Sequence, residues 1–325
     1  MKAIIHQKYG ESEVVELKEI DKPVVGDDEV LVSVRAASVN PYDWHFLTGT
    51  PYLVRPTSGW FKPKVQRLGV DFAGHVEAVG KNRTDLQPGD EVFGMGDGAF
   101  AQYATARKTV IKKPTKLTFE QAAAVPMAAV TALQGLRVKG QIRAGQRVLI
   151  IGASGGVGTF AVQIAKSYGA EVTGVCSTRN VEMVRSIGAD HVIDYTKEDF
   201  SRNGQQYDLI LDTAAHRSVA DRRRALSPNG IYVLVGGHSN GRWLGPMTGM
   251  LKMMLPSPRA GSKKMLPFLA TGNKDDLIVL QEMIEAGKII PVIEGCYPLE
   301  EAPQALAHVG QEHGRGKTII TVPAK

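Results

Sequence analysis

Cysteine is nearly absent from this sequence, since Cys176 and Cys296 are its only two thiols among 325 residues. Two thiols cannot build a disulfide framework or a four-thiolate zinc site. Long apolar runs are missing too: even Ala122–Leu133 contains Pro126 and is shorter than the ~18 residues that a membrane helix needs. The N-terminal residues become charged after a short apolar run, which predicts a strand rather than a signal peptide. We therefore expect a soluble, cytoplasmic protein with no membrane partner.

The charge excess is small: 39 Lys and Arg against 33 Asp and Glu give a net charge of +6. Such an excess is compatible with an anionic ligand such as a nucleotide phosphate and does not by itself indicate nucleic acid. The densest basic runs, Arg222–Arg224 and Lys112–Lys113, are short and lack interleaved aromatic residues, so we interpret both as solvated faces. No nucleic-acid partner is expected.

The chain divides into two patterns, and a 43% hydrophobic fraction is enough for two cores. Up to about Thr118, short alternating stretches between turn signals predict a small barrel or sandwich. Thr118–Gln121 then has the spacing of a capping box and begins a helical stretch. Further on, helical stretches alternate with strands, which is typical of a doubly wound parallel sheet in an α/β protein. The predicted strands are Val148–Ile151, Glu171–Val175, His191–Ile193, Asp208–Leu211, Ile231–Val235 and Met265–Leu269.

A glycine-rich turn, Gly152–Gly158, lies between the first of these strands and a helix. It matches the dinucleotide fingerprint with Ala153, Gly155 and Gly158 in the three glycine positions. Gly155 would let the backbone approach a pyrophosphate, Gly158 would allow close packing of helix on strand, and the helix N-terminus offers N–H groups to the phosphates. The predicted cofactor contacts here are Ala153, Ser154, Gly155, Gly156, Val157 and Gly158.

The end of the next strand selects between NAD and NADP, because an acid about 20 residues beyond the turn would hold the ribose 2′-hydroxyl. This chain has Ser177, Thr178 and Arg179 there, so two hydroxyls and a guanidinium replace the carboxylate. Arginine binds phosphate in a planar, charge-assisted manner. The sequence therefore predicts NADPH as the cofactor, and Tyr195 after the third strand is a further candidate for the same phosphate.

Several motifs together resemble the medium-chain dehydrogenase/reductase superfamily, in particular its zinc-independent quinone oxidoreductase branch. They are Asn40–Asp43 (NPYD), Gly69–Gly74 (GVDFAG), Pro88–Val92 (PGDEV), Ala153–Gly158 (ASGGVG) and Ser177–Arg179 (STR). The resemblance covers essentially the whole chain. It implies a GroES-like, mostly β catalytic domain over residues 1–125, a Rossmann domain over 126–272 and a return to the catalytic domain over 273–325, with the active site between the domains. It also suggests a homodimer.

The expected ligands of a zinc ion are missing. Zinc-dependent members place a Cys where this chain has Ser38–Asn40 and Gly-His-Glu where it has Gly69–Asp71. Zinc needs three protein ligands, so no metal is expected. Without a Lewis acid, reduction of a quinone or conjugated carbonyl is easier than oxidation of an alcohol, because the resulting anion is delocalised. The nearby groups expected to form structural hydrogen bonds or to be exposed are Asp43, His45, Asp71 and His75.

The predicted function is therefore an NADPH-dependent reductase that transfers hydride to a small quinone or α,β-unsaturated carbonyl compound. By resemblance, Asn40 and Asp43 lie at the nicotinamide end and position substrate and cofactor. Tyr42 and Tyr52 are candidate hydrogen-bond or proton donors to the developing oxyanion. The resemblance adds four further cofactor contacts: Thr131, Gly236, Gly237 and Lys317.

Two kinds of alternative stay open at this point. A zinc-free alcohol dehydrogenase or an enoyl-thioester reductase would use the same scaffold and cofactor. An RNA-binding or structural role is the other alternative, although the intact glycine turn argues against it. The sequence does not identify the substrate, whose pocket depends on residues 42–60 and on the 238–264 loop.

Overall fold

The computed structural model describes residues 1–52, 55–215, 218–235, 262–311 and 314–323. The chain forms two compact units, one of residues 1–130 and 272–325 and the other of residues 131–271. Within the described ranges, no helix is long and apolar enough to cross a membrane. Gly236, Gly237 and most of the 238–264 loop, which the sequence singled out, lie outside the described residues.

Fifteen β-strands occur in the described part of the chain, of which β8 to β13 belong to the second unit. In chain order they are β1 (Lys2–His6), β2 (Val15–Glu19), β3 (Val30–Val39), β4 (Asp71–Val79), β5 (Glu91–Met95), β6 (Tyr103–Ala106), β7 (Val110–Lys112), β8 (Arg147–Ile151), β9 (Glu171–Cys176), β10 (His191–Asp194), β11 (Tyr207–Asp212), β12 (Leu226–Val235), β13 (Lys264–Phe268), β14 (Ile293–Pro298) and β15 (Lys317–Thr321).

The α-helices of the same ranges are short, and a π-helical turn, Gln134–Lys139, continues the fourth. The predicted capping box at Thr118 is confirmed, because its side chain accepts a hydrogen bond from the Gln121 backbone N–H. The helices are α1 (Pro41–Thr48), α2 (Arg55–Ser58), α3 (Phe119–Ala123), α4 (Pro126–Leu133), α5 (Gly156–Ser167), α6 (Val181–Ser186), α7 (Val219–Ala225), α8 (Lys274–Glu285) and α9 (Ala302–Gly310).

The first unit is built on a mostly antiparallel sheet in the order β14-β15-β3-β4-β5-β7, with β6 also paired to β3. Fully buried aromatic residues of this unit include Phe72 on β4, Phe93 on β5 and Phe100 in the loop between β5 and β6. β15 pairs with β3 so that Thr318 lies opposite Val39, and β4 pairs with the other edge of β3 so that Asp71 lies opposite Ser38. This register brings three distant parts of the chain to the end of β3.

The second unit is a six-stranded parallel sheet in the order β10-β9-β8-β11-β12-β13. This is the strand order of a Rossmann fold, so the predicted fold class is confirmed. The central strands are buried, as expected when helices cover both faces of a parallel sheet, and Leu149 and Ile150 have no exposed surface. The strand order reverses between β8 and β11, which is where ligands bind in open sheets of this type.

The two basic runs are not simply solvated, and the prediction is wrong for one residue of each. Arg222 is only 4% exposed and Lys113 only 9%. The Arg222 guanidinium donates to the Ala215 carbonyl at 2.8 Å and lies 3.7 Å from the Asp212 carboxylate. The Lys113 ammonium donates to the Leu117 carbonyl at 2.6 Å. Folding places acceptors around these cations, which makes their burial tolerable.

The glycine turn offers a test of how closely α5 packs. A Cβ at Gly158 would lie 2.0 Å from the Gly152 carbonyl oxygen, whereas one at Gly155 would meet nothing closer than 3.5 Å. We expect Gly158→Ala to lower the free energy of unfolding by about 3 kcal/mol or to prevent folding, because backbone must shift. The matched Gly155→Ala variant should stay within about 0.5 kcal/mol of the original. Urea unfolding of both variants decides this, and equal losses would contradict the packing role of Gly158.

Candidate active site and cofactor site

A cluster of buried polar groups lies in the first unit, at the end of β3. We call it the buried charge cluster: Asn40, Asp43, Asp71 and Lys317. Asp43, Asp71 and Lys317 are 2%, 0% and 3% exposed. Asn40 and Asp43 lie at the start of α1, whereas Asp71 begins β4 and Lys317 begins β15. Strand register therefore assembles the cluster from three segments.

The Asp71 carboxylate accepts hydrogen bonds from several groups of its own unit. Its Oδ2 accepts from Ser38 Oγ at 3.1 Å and from Asn40 Nδ2 at 3.0 Å. Both of its oxygens lie 3.2 Å from the backbone N of Met127, in the first turn of α4. A negative charge at a helix N-terminus is stabilised by the free N–H groups and the helix dipole. Asp71 therefore orients Asn40 and caps α4.

Asn40 joins Asp71 to Lys317. The Lys317 ammonium donates to Asn40 Oδ1 at 2.5 Å and to the Val39 carbonyl at 3.1 Å. The carboxamide of Asn40 thus accepts on its oxygen and donates from its nitrogen, which sets its orientation without ambiguity. The backbone N–H of Asn40 donates to Asp43 Oδ2 at 2.8 Å.

Burial shifts the protonation equilibria of the cluster. It raises the pKa of Asp43 to about 7, an effect that the neighbouring Asp71 charge increases and the Asn40 backbone N–H and Lys317 oppose. Burial also raises the pKa of Asp71 and lowers the pKa of Lys317, which the two carboxylates partly restore. Asp43 consequently exchanges its proton near neutral pH.

The two candidate tyrosine donors lie in the same unit. The Tyr42 ring packs on Phe46 with centroids 4.3 Å apart, and burial together with the Asp43 and Asp97 charges raises the pKa of its hydroxyl. The Tyr52 ring lies 4.3 Å from the Arg55 guanidinium. A raised pKa keeps the Tyr42 hydroxyl protonated, so it can donate a hydrogen bond.

The glycine turn of the second unit has the conformation that phosphate binding needs. The positive φ of 79° is at Gly152, one residue before Ala153, which explains why alanine is tolerated there. Gly155 faces open space and α5 begins at Gly156, so the N–H groups of the first turn are available to a pyrophosphate. These residues fit a dinucleotide. Ser154 Oγ accepts from Asn180 Nδ2 at 3.1 Å, which ties the turn to the next strand's end.

An acid that the sequence prediction did not include lies beside the residues predicted to bind the ribose. Thr178 Oγ1 donates a hydrogen bond to Asp194 Oδ2 at 2.6 Å, and this bond lowers the pKa of Asp194 to about 2. Asp194 comes from β10, where it lies opposite Cys176 of β9. The end of β9 itself holds no acid, as expected, but β10 brings the Asp194 carboxylate beside it, where it accepts the hydrogen bond of the Thr178 hydroxyl. The prediction considered β9 alone, whereas adjacent parallel strands end at the same edge.

The remaining predicted cofactor residues lie in different places. Thr131 is buried in α4, and the exposed Tyr195 follows β10 with its backbone N–H bonded to the Cys176 carbonyl at 3.1 Å. Lys317 is part of the buried charge cluster rather than of the glycine turn.

The residues at the expected metal position do not fit zinc. Ser38 and Asp71 hydrogen-bond to each other, and the further donors to Asp71 are an amide and a backbone N–H. Hydroxyl and amide groups are not zinc ligands of the usual kind, and the buried ammonium nearby repels a cation. Within the described residues, no group of three or more His, Cys, Asp or Glu side chains could hold a metal ion. His45, one of the nearby groups, instead bonds the Thr50 carbonyl at 2.9 Å.

Two family models match the chain. The alcohol dehydrogenase GroES-like domain matches residues 26–115, and the zinc-binding dehydrogenase domain matches residues 187–320. The second description names a metal that the residues above do not accommodate.

Relatives match the chain along nearly its whole length. The mitochondrial NAD(P)H oxidoreductase RTN4IP1 of Mus musculus is 34% identical, covering 99% of this chain and 89% of its own. Quinone oxidoreductase of Sus scrofa is also 34% identical, and the match covers 98% of this chain and 96% of the relative. The chloroplastic NADPH-dependent alkenal/one oxidoreductase of Arabidopsis thaliana is 32% identical, and the match covers 98% of this chain and 79% of the relative. The chain therefore belongs to the medium-chain dehydrogenase/reductase superfamily, in its quinone oxidoreductase-like branch, and is an oxidoreductase.

Solved structures agree with this assignment. The quinone oxidoreductase from Coxiella burnetii has a TM-score of 0.84 and 28% identity, and covers 99% of both chains. The Escherichia coli quinone oxidoreductase complexed with NADPH has a TM-score of 0.83 and 25% identity, covering 99% of this chain and 100% of its own.

The pKa of Asp43 predicts how stability depends on pH. Because the folded-state pKa is raised from 3.8 to about 7, the contribution of Asp43 to stability is complete below pH 4 and is lost as the pH rises through 7. Asp43→Asn removes this titration but retains the acceptor for the Asn40 N–H. As the pH rises from 5 to 8, the free energy of unfolding of the variant, measured with urea, should increase by roughly 3 kcal/mol relative to that of the original protein. An exposed Asp21→Asn control should show no such gain, and parallel pH curves for Asp43→Asn would contradict the assignment.

Proposed function

We propose that this oxidoreductase is an NADPH-dependent, zinc-independent reductase that transfers hydride to a quinone or an α,β-unsaturated carbonyl compound. The observation that carries the proposal is the buried charge cluster. Where zinc-dependent members would hold the metal, Asp71 is engaged by Ser38, Asn40 and the start of α4, and the ammonium of Lys317 supplies the positive charge. The quinone and alkenal/one oxidoreductases among the relatives support the substrate class.

The cofactor part of the proposal rests on the second unit. The turn Gly152–Gly158 and the N-terminus of α5 would hold the pyrophosphate, and Ser177 and Arg179 would hold the 2′-phosphate. NADPH supplies the hydride when bound. A structural neighbour that binds NADPH supports this choice, whereas the charge of Asp194 opposes it and should limit the preference over NADH.

The roles proposed for the first unit follow from its hydrogen bonds. Asn40 positions the ligand, since Asp71 and Lys317 hold its carboxamide in one orientation. The Tyr42 hydroxyl donates to the oxyanion that forms on the substrate, and Tyr52 is the second candidate donor. Asp43 stores a proton in the cluster near neutral pH and acts on the ligand through Asn40.

Homodimerisation and a cytoplasmic location complete the proposal. Both come from the sequence and its resemblance, and the relatives named above include mitochondrial and chloroplastic proteins. Sedimentation equilibrium and imaging of the tagged protein in its own cells test the two points.

Zinc independence and substrate class are tested together. After extensive chelation, the protein should reduce quinones and enones with NADPH at an undiminished rate, oxidise simple alcohols poorly and contain no stoichiometric zinc by elemental analysis. The physical reason is that the delocalised product anion needs only hydrogen bonds for stabilisation. One tightly held zinc per chain whose removal abolishes turnover would overturn the proposal.

Cofactor choice depends on two opposed charges, and single substitutions should separate them. Arg179→Ala should raise KM for NADPH about tenfold to a hundredfold and leave KM for NADH nearly unchanged, because a charge-assisted phosphate contact is lost. Asp194→Asn keeps the acceptor for Thr178 and removes a negative charge, so it should lower KM for NADPH.

The matched control is Arg185→Ala, an exposed arginine on α6 that pairs with Glu182. Steady-state kinetics with both cofactors provide the measurement. Equal effects of Arg179→Ala on NADPH and NADH would mean that Arg179 supports the fold and does not contact the 2′-phosphate.

A further inference from the structure

An exposed aromatic pair lies on a loop of the first unit. We call residues Gly59–Gln66 the aromatic loop. In it Phe61 is 97% exposed and Trp60 59%, and Val65 is exposed as well. Large side chains of this kind are usually at least partly covered, and neighbouring exposed ones indicate an interaction surface.

The loop is held in place by hydrogen bonds. Gly59 has a φ of 117°, and a Cβ there would lie 2.1 Å from the Lys62 carbonyl oxygen, so glycine is required in this tight turn. The Tyr9 hydroxyl donates to the Gly59 carbonyl at 2.6 Å, and the Lys64 N–H donates to the Ser58 carbonyl at 2.8 Å. The turn thus places Trp60 and Phe61 outward on an anchored backbone.

Along the sequence, the segment that carries the aromatic loop has charges of one sign only. Residues 44–70 include four lysines and arginines and no aspartate or glutamate. Of these, Lys62 and Lys64 are exposed on the loop itself. Exposed aromatic rings beside lysines are typical of segments that bind at a membrane–water interface, where the rings enter the headgroup layer and the cations face lipid phosphates. Charge complementarity therefore favours an anionic partner with an apolar interior.

We propose that the aromatic loop binds the surface of an anionic lipid bilayer. Trp60 and Phe61 enter the headgroup region, and Lys62 and Lys64 contact the negatively charged lipids. The contact is peripheral, because one short loop carries it, and it replaces the expectation from the sequence that the protein has no membrane partner. It does not depend on the reaction proposed above.

Vesicle flotation tests the proposal with the full-length protein. Vesicles of phosphatidylcholine with about 30 mol% phosphatidylserine should bind it, whereas pure phosphatidylcholine vesicles should bind it weakly, and raising the salt should reduce the binding. On binding, the tryptophan emission should shift to shorter wavelength, and Trp60→Phe should remove that shift while the protein still binds. Absence of a preference for the anionic vesicles would overturn the proposal.

Paired substitutions locate the contact. Lys62→Gln with Lys64→Gln should weaken binding to anionic vesicles about tenfold or more, and Trp60→Ser with Phe61→Ser should weaken it comparably. The controls are Val24→Ser, at a site 90% exposed, and Lys81→Gln, an exposed lysine paired with Asp27; both should bind normally. Urea unfolding checks that every variant folds.

The competing occupants of the loop give different results. If a second copy of the chain covers it, Trp60→Ser with Phe61→Ser will reduce the oligomer in sedimentation velocity while vesicle binding is absent from the original protein. If vesicle binding is intact in both paired variants, another surface is responsible. Either result refutes the proposal.

Discussion

Burial of the Lys317 ammonium together with two carboxylates is the constraint on which the first unit depends. The ammonium is near the C-terminal end of the sequence, whereas Asp43 and Asp71 belong to its first quarter. A buried charge without partners is strongly destabilising, so β15 must pair with β3, and β4 with the other edge of β3, in the register that brings these groups together. The same register orients Asn40 and places Asp71 at the start of α4.

In the proposed zinc-independent reductase, the buried charge cluster takes the place of the metal. A zinc ion would supply positive charge from the centre of its protein ligands and keep one coordination position open for water or substrate. Here a lysine supplies the charge, and hydrogen bonds from Asn40 and from a helix N-terminus satisfy the facing carboxylate. In the proposed reaction this arrangement would orient the ligand and exchange a proton near neutral pH, whereas a Lewis acid would polarise an alkoxide.

Opposed charges recur at the ribose end of the second unit. In the proposed cofactor site, Arg179 would favour a 2′-phosphate and the negative charge of Asp194 would disfavour it, so the cofactor preference would be the difference between two electrostatic contributions. Lys197, 3.6 Å from Asp194, reduces the negative charge further. Arg179 is exposed and Asp194 lies at the surface end of its strand, so single substitutions at these positions should change the cofactor preference without loss of the fold.

The sequence by itself determined the features that arise from neighbours along the chain. Alternating apolar residues predicted the strands, Thr118 and Gln121 predicted a helix start, and Gly155 with Gly158 predicted the phosphate turn, since each signal depends on local backbone geometry. Only the tertiary structure decided that Lys317 joins Asn40, that Asp194 approaches Thr178 and that Arg222 is buried. These contacts depend on strand register and strand order, which bring together residues far apart in sequence, and no local pattern encodes the partner that a buried charge will find.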